Sequence, residues 1–108
     1  MKIKVLMKRP DSHWYVTNVS NTLKNLQNLV GGDIETVTLL TPQAGRKGPV
    51  IICNGEGKLL GLPYNCRFFG EDFVGTILIA GVDGEEFADL TAQELEFLKG
   101  YIAAGGTE

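Results

Sequence analysis

Two runs constrain this chain more than anything else in it. Val50-Ile51-Ile52-Cys53 and Phe73-Val74-Gly75-Thr76-Ile77-Leu78-Ile79-Ala80 are largely apolar, rich in β-branched residues and bounded by turn residues. A short, continuously apolar run suits a strand covered on both faces. The second run is the most apolar strand candidate in the chain and is expected at the centre of the sheet. With 108 residues the chain has room for a single domain, since domains commonly run about 100–150 residues. Fourteen glycines, above the usual share of about 7%, predict many short elements joined by tight turns.

The remaining elements follow from periodicity. Ile3, Val5 and Met7 alternate with Lys2 and Lys4, which predicts a half-buried strand. Arg9-Pro10-Asp11-Ser12 then turns the chain into an aromatic and β-branched strand at His13–Thr17. Ser20 is placed to cap a helix reaching Val30, with Leu23, Leu26, Leu29 and Val30 as its apolar stripe and Gly31-Gly32 as its stop. Asn18, Asn21, Asn25 and Asn28 line its other side, as a polar groove or a solvated face. Ile34–Leu40 alternates as a strand, Lys58–Leu60 is expected to pair back as a short one, and Leu62–Phe69 reads as an irregular, aromatic-packed segment. Thr91-Ala92-Gln93-Glu94 matches a capping box and predicts a helix to about Ala103, leaving residues 104–108 frayed. The expected fold is a two-layer α+β domain spanning residues 1–103. Its mostly antiparallel or mixed sheet has about five to six strands, covered by two helices in the order ββαβββα.

Net charge is −3, but residues 1–54 carry +4 and residues 55–108 carry −7. A basic nucleic-acid binder is disfavoured, and so is a mimic of duplex DNA with its charge every ~1.7 Å. Between Glu71 and Glu96 stand eight acidic residues and no lysine or arginine. Glu71, Asp72, Asp83, Glu85, Glu86 and Asp89 form the candidate protein-interaction surface, the alternative being a solvated face. No apolar run reaches the ~18 residues of a membrane span, and Met1-Lys2 opens no signal-peptide core, so a cytoplasmic protein without membrane contact is expected.

Candidate chemistry is sparse. Cys53 and Cys66 lie in apolar surroundings without a CxxC spacing, which predicts buried, reduced thiols, and His13 is the one histidine. A metal site, a cofactor and a catalytic nucleophile are therefore not expected, although either cysteine with His13 could in principle form a pair. Arg46 and Lys47 stand between Gly45 and Gly48, where an anion could approach the backbone; the alternative is an exposed hairpin tip. Asn54, Lys58, Tyr64, Asn65 and Arg67 crowd one turn-rich stretch and could form a polar pocket, with Tyr64 stacking on a flat ring and Arg67 forking onto an anion. Alternatively, Asn65 and Arg67 satisfy loop carbonyls and an acidic neighbour.

Three phrases carry a resemblance. Val30-Gly31-Gly32-Asp33-Ile34-Glu35, Ile52-Cys53-Asn54-Gly55-Glu56-Gly57-Lys58-Leu59-Leu60-Gly61-Leu62-Pro63-Tyr64-Asn65 and Gly75-Thr76-Ile77-Leu78-Ile79-Ala80-Gly81 together resemble domain of unknown function 3846 over roughly residues 1–99. Its members often continue the second phrase as Asn-Arg, whereas here Cys66 precedes Arg67. The resemblance implies a setting on phages and mobile elements and brings no mechanism. The resulting expectation is a non-catalytic accessory protein, in its most concrete form a small oligomer that sequesters a small anionic nucleotide-type ligand of host defence. Two other readings are an acidic inhibitor of a host DNA-binding or nuclease protein, and a small nucleotide-processing enzyme.

Overall fold

The computed structural model describes residues 1–39 and 48–107. In chain order the elements are β1 (Lys2–Lys8), β2 (Tyr15–Ser20), α1 (Leu23–Val30), β3 (Ile34–Thr38), β4 (Val50–Asn54), β5 (Tyr64–Phe68), β6 (Glu71–Val74), β7 (Ile77–Asp83), β8 (Glu86–Ala88) and α2 (Ala92–Tyr101). Among the described residues the main sheet runs β2-β1-β7-β4-β3 with every pair antiparallel, β8 pairs with the end of β7, and β5–β6 form a separate hairpin. The α+β class, the strand number and the order of helices among strands are as the sequence leads one to expect.

Register explains the two apolar runs. Leu6, Ile79, Ile51 and Val37 stand opposite one another across four strands and point to one face, while Met7, Leu78 and Ile52 form the adjacent row on the other. Each face has its own cover. Leu26 and Val30 of α1 pack on the Ile3, Val5, Met7 and Leu78 side; Leu98 of α2, with Cys66, Phe68 and Phe73 of the hairpin, packs on the Leu6, Ile51 and Ile79 side. The helices thus take opposite faces, and the hairpin shares a face with α2. This makes three layers where two were expected, because both faces of the central strands are apolar. Full burial of each such side chain contributes roughly 1.5–3 kcal/mol relative to exposure.

Several local expectations are corrected. Thr22, not Ser20, caps α1, its hydroxyl accepting from Asn25 N–H, and Leu23 is exposed. The run from Phe73 to Ala80 is two strands, because Gly75 at φ +70° turns the chain between β6 and β7. Residues 58–60 are wound into a turn, and most of the stretch after it that was expected to be irregular, Leu62–Phe69, becomes β5. Beyond α2 the chain makes a π-helical turn over Ile102–Gly106, and Thr107 bridges to Phe68 and accepts from the Trp14 indole at 3.1 Å, so residues 104–107 are tied down rather than frayed. The Thr91–Glu94 capping box is present in both directions, at 2.9 and 3.0 Å. Asn21 and Asn25 donate to the carbonyls of Phe87 and Ser20, so those two amides brace the backbone.

Candidate functional site

A groove runs along the β3 edge of the sheet. Alternation places Glu35, Val37 and Leu39 on the face that the hairpin covers, and β6 lays Glu71 and Phe73 above them. The turn after β4 closes one end. Its winding is fixed by Asn54, whose Oδ1 accepts from Glu56 N–H at 2.8 Å, and by Leu62 N–H donating to the Gly57 carbonyl at 3.0 Å. Gly57 is required there, since a Cβ would stand 2.8 Å from Val74. One end of the groove is a pocket of about 140 Å³ with Glu35, Glu56, Glu71, Asp72 and Lys58 around Val37, Cys53 and Phe73. It continues into an apolar cleft of about 200 Å³ between Val37, Leu39, Ile51, Phe68, Phe69 and Phe73, and the two share Val37, Glu71 and Phe73.

Among the described residues the Glu35, Glu56 and Glu71 carboxylates against the Lys58 ammonium give the pocket a negative field, while the Asp72 carboxylate is taken by Arg67 and Tyr64. Cys53 lies in its floor, its thiol donating to the Glu35 carbonyl at 3.6 Å. Burial pushes that thiol up to about 11, the Glu35 and Glu71 carboxylates push the same way, and Lys58 opposes them. Burial likewise raises Cys66, against the pull of Lys8. Both cysteines are free and buried, while His13 is exposed, so the described geometry offers no thiolate–imidazole pair. Because the folded-state value of Cys53 lies above its ordinary 9.0, the thiol stabilises the fold fully below pH about 9 and loses that contribution as pH rises towards 11. Stability measured by denaturant titration is therefore expected to fall across that window, and to fall less in Cys53→Ala. An unchanged slope in the variant would show that Cys53 does not titrate there.

The residues singled out from sequence are divided by the fold. Asn54 is buried and donates to the Val30 carbonyl at 3.2 Å, joining the end of α1 to the turn. Asn65 is also buried: its amide donates to the carbonyls of Gly75 and Lys8 at 2.7 and 2.9 Å, and its Oδ1 accepts from Lys8 Nζ at 2.8 Å. Tyr64 and Arg67 come together on the outer face of the hairpin, where the phenol and the guanidinium both donate to Asp72, at 3.2 and 3.5 Å. Of the described residues of the expected anion site, Lys58 and Asn54 alone reach the groove, and carboxylates surround the lysine. Arg46 and Lys47 lie outside the described residues. The acidic set is likewise divided: Glu71 and Asp72 line the groove, Asp83, Glu85 and Glu86 lie at the β7–β8 turn, and Asp89 accepts from the Lys4 backbone N–H at 2.6 Å.

Glu35 and Glu56 were not singled out by the sequence reading of chemistry. The alternation of β3 could have placed Glu35 with Val37, but nothing local says that β6 lies above them. Among the described residues no three His, Cys, Asp or Glu side chains converge as a metal site would require. No described helix is long and apolar enough to cross a membrane. At the opposite edge of the sheet lies a second, apolar pocket of about 360 Å³, formed by Leu6, Trp14, Tyr15, Val16, Ile102 and Ala103 with Lys99 at its rim.

No curated protein and no solved structure is significantly similar to the chain. A family model does match, over residues 1–103, which takes in both edges of the sheet, the groove and α2. The chain belongs to the family described as Domain of unknown function (DUF3846).

Proposed function

We propose that this protein is a non-catalytic accessory protein, of the kind phages and mobile elements carry, that acts by holding a basic segment of a host DNA-binding or nuclease protein in the groove beside β3. The observation that carries the reading is the groove itself, with the Glu35, Glu56 and Glu71 carboxylates and Lys58, among the described residues, over an apolar floor. Size supports it too: about 140 Å³ falls below the roughly 300–1,000 Å³ of small-ligand pockets and suits one side chain. Leu59 and Leu60, exposed on the adjoining turn, add apolar surface for a protein partner. The test is a titration with an arginine-containing nonapeptide, followed by NMR. Affinity is expected to fall at least tenfold in Glu35→Gln/Glu71→Gln, and to fall as salt rises, because screening weakens exposed charge pairs beyond ~10 Å at 0.1 M. Equal binding by the double variant would sink the reading.

The larger apolar pocket supports a second reading, a small anionic ligand with a flat ring. Its 360 Å³ lie within the small-ligand range, and Trp14, Tyr15 and Lys99 offer stacking and charge. Mononucleotides and cyclic di- and trinucleotides in the same titration separate the two, since their binding would depend on Lys99 and not on Glu35.

A further inference from the structure

The groove is bounded on its open side by β3, the last strand of the sheet order, whose outer edge pairs with no other strand among the described residues. Which backbone groups point outward follows from the register. Gly55 N–H donates to the Asp33 carbonyl and Leu39 N–H to the Pro49 carbonyl, at 2.9 and 2.8 Å. Hydrogen-bonded pairs alternate along an antiparallel ladder, so Glu35 and Val37, opposite Cys53 and Ile51, also turn their amide and carbonyl groups towards β4. Ile34, Thr36 and Thr38 therefore turn theirs outward. Their free edge stands beside the side chains of Glu35 and Val37, which face the groove.

We infer that the basic segment binds as an added antiparallel or parallel strand on the outer edge of β3, with a lysine or arginine at one position and an aliphatic residue two positions away. This rests on the groove reading above and adds to it a binding mode and a sequence rule. An added strand places residues i and i+2 on one face, roughly 6.8 Å apart. Glu35 borders the acidic pocket and Leu39 the apolar cleft, with Val37 and Glu71 shared by both. The cation enters the first compartment and the aliphatic side chain the second. Main-chain bonds to the edge supply affinity and the two compartments supply selectivity, the division of labour usual for strand addition. Glu35 also disfavours a strand that sets an apolar or acidic side chain beside it, because its carboxylate would then lose water or meet like charge.

The test uses labelled nonapeptides of serine and threonine carrying one arginine and one valine, separated by one, two or three positions. A second series N-methylates each backbone amide of the best peptide in turn. The i, i+2 peptide is expected to bind at least tenfold more tightly than the other two spacings. N-methylation should weaken it at alternate positions only, and amide signals of Ile34, Thr36 and Thr38 should shift on titration. Binding that requires Glu35 and Glu71 but shows neither the spacing rule nor the alternation overturns strand addition and leaves the groove reading standing. No binding by any of the peptides overturns both. Shifts confined to Val16, Asn18 and Ser20, the outward residues of β2 by the same alternation, would move the added strand to the other edge and overturn the inference.

Discussion

Replacing Asn65 with alanine is expected to lower the unfolding free energy by about 3–5 kcal/mol, a large part of the roughly 5–15 kcal/mol typical of a domain. One amide here holds three partners from two other parts of the chain: the Gly75 carbonyl between β6 and β7, the Lys8 carbonyl at the end of β1, and the Lys8 ammonium. Lys8 is nine-tenths buried, and its described hydrogen bonds go to Asn65 alone, to Oδ1 at 2.8 Å and to the carbonyl at 3.5 Å. Alanine leaves a buried ammonium without its side-chain acceptor and takes away the amide donor that the Gly75 and Lys8 carbonyls share. Each unsatisfied neutral group costs about 1–3 kcal/mol and a charged one more. A double-mutant cycle isolates the charged part. Lys8→Met removes the ammonium and keeps the apolar stem, so Lys8→Met/Asn65→Ala should lose clearly less than the sum of the single losses. Chemical denaturation of the four proteins reads this directly. Additive losses would mean that Lys8 finds water once Asn65 is gone.

That cycle also marks where sequence reading stops. Val50–Cys53 and the core of β7 were legible because a run without polar breaks has to be covered on both faces, wherever the cover comes from. The capping box at Thr91 was legible because its two bonds join residues three apart. Asn65 was not legible as a buried hub. Its direction depends on an irregularity between Tyr64 and Cys66 in the pairing of β5 with β6, which sets Asn65 and Cys66 both inward and leaves Tyr64 and Arg67 outside together. A shift of one residue reverses the face of every side chain beyond it. The groove was hidden for a different reason. Glu35 and Glu71 meet only because the β5–β6 hairpin folds across the sheet, and no spacing in the chain encodes that approach.

The second large effect is expected at Phe68. This side chain is fully buried, and its ring lies 5.0 Å from Trp14, 4.9 Å from Phe69 and 5.3 Å from Tyr101. It therefore joins the β1–β2 connection, the hairpin turn and α2. Phe68→Ala should cost about 3–5 kcal/mol, as large buried aromatics do when a cavity replaces them. Trp14 is the single tryptophan, so its emission should also shift to the red as water reaches the indole. The neighbouring Phe69 makes the informative contrast. With Gly70 it forms a turn in which both residues have positive φ, +50° and +76°, a conformation that favours asparagine or aspartate before glycine. Phenylalanine is strained there, and the compensation is its ring stacked on Tyr101 at 4.2 Å. Phe69→Asn removes two ring contacts, with Tyr101 and Phe68, each on the scale of about 0.5–1.5 kcal/mol. It also relaxes the turn, so its net loss should stay within about 1–2 kcal/mol. Equal losses at the two positions would show that the hairpin is held by the turn. A loss at Phe68 clearly larger than that at Phe69 would show that it is held by the core beneath it, which keeps β6 over β3 and the groove open.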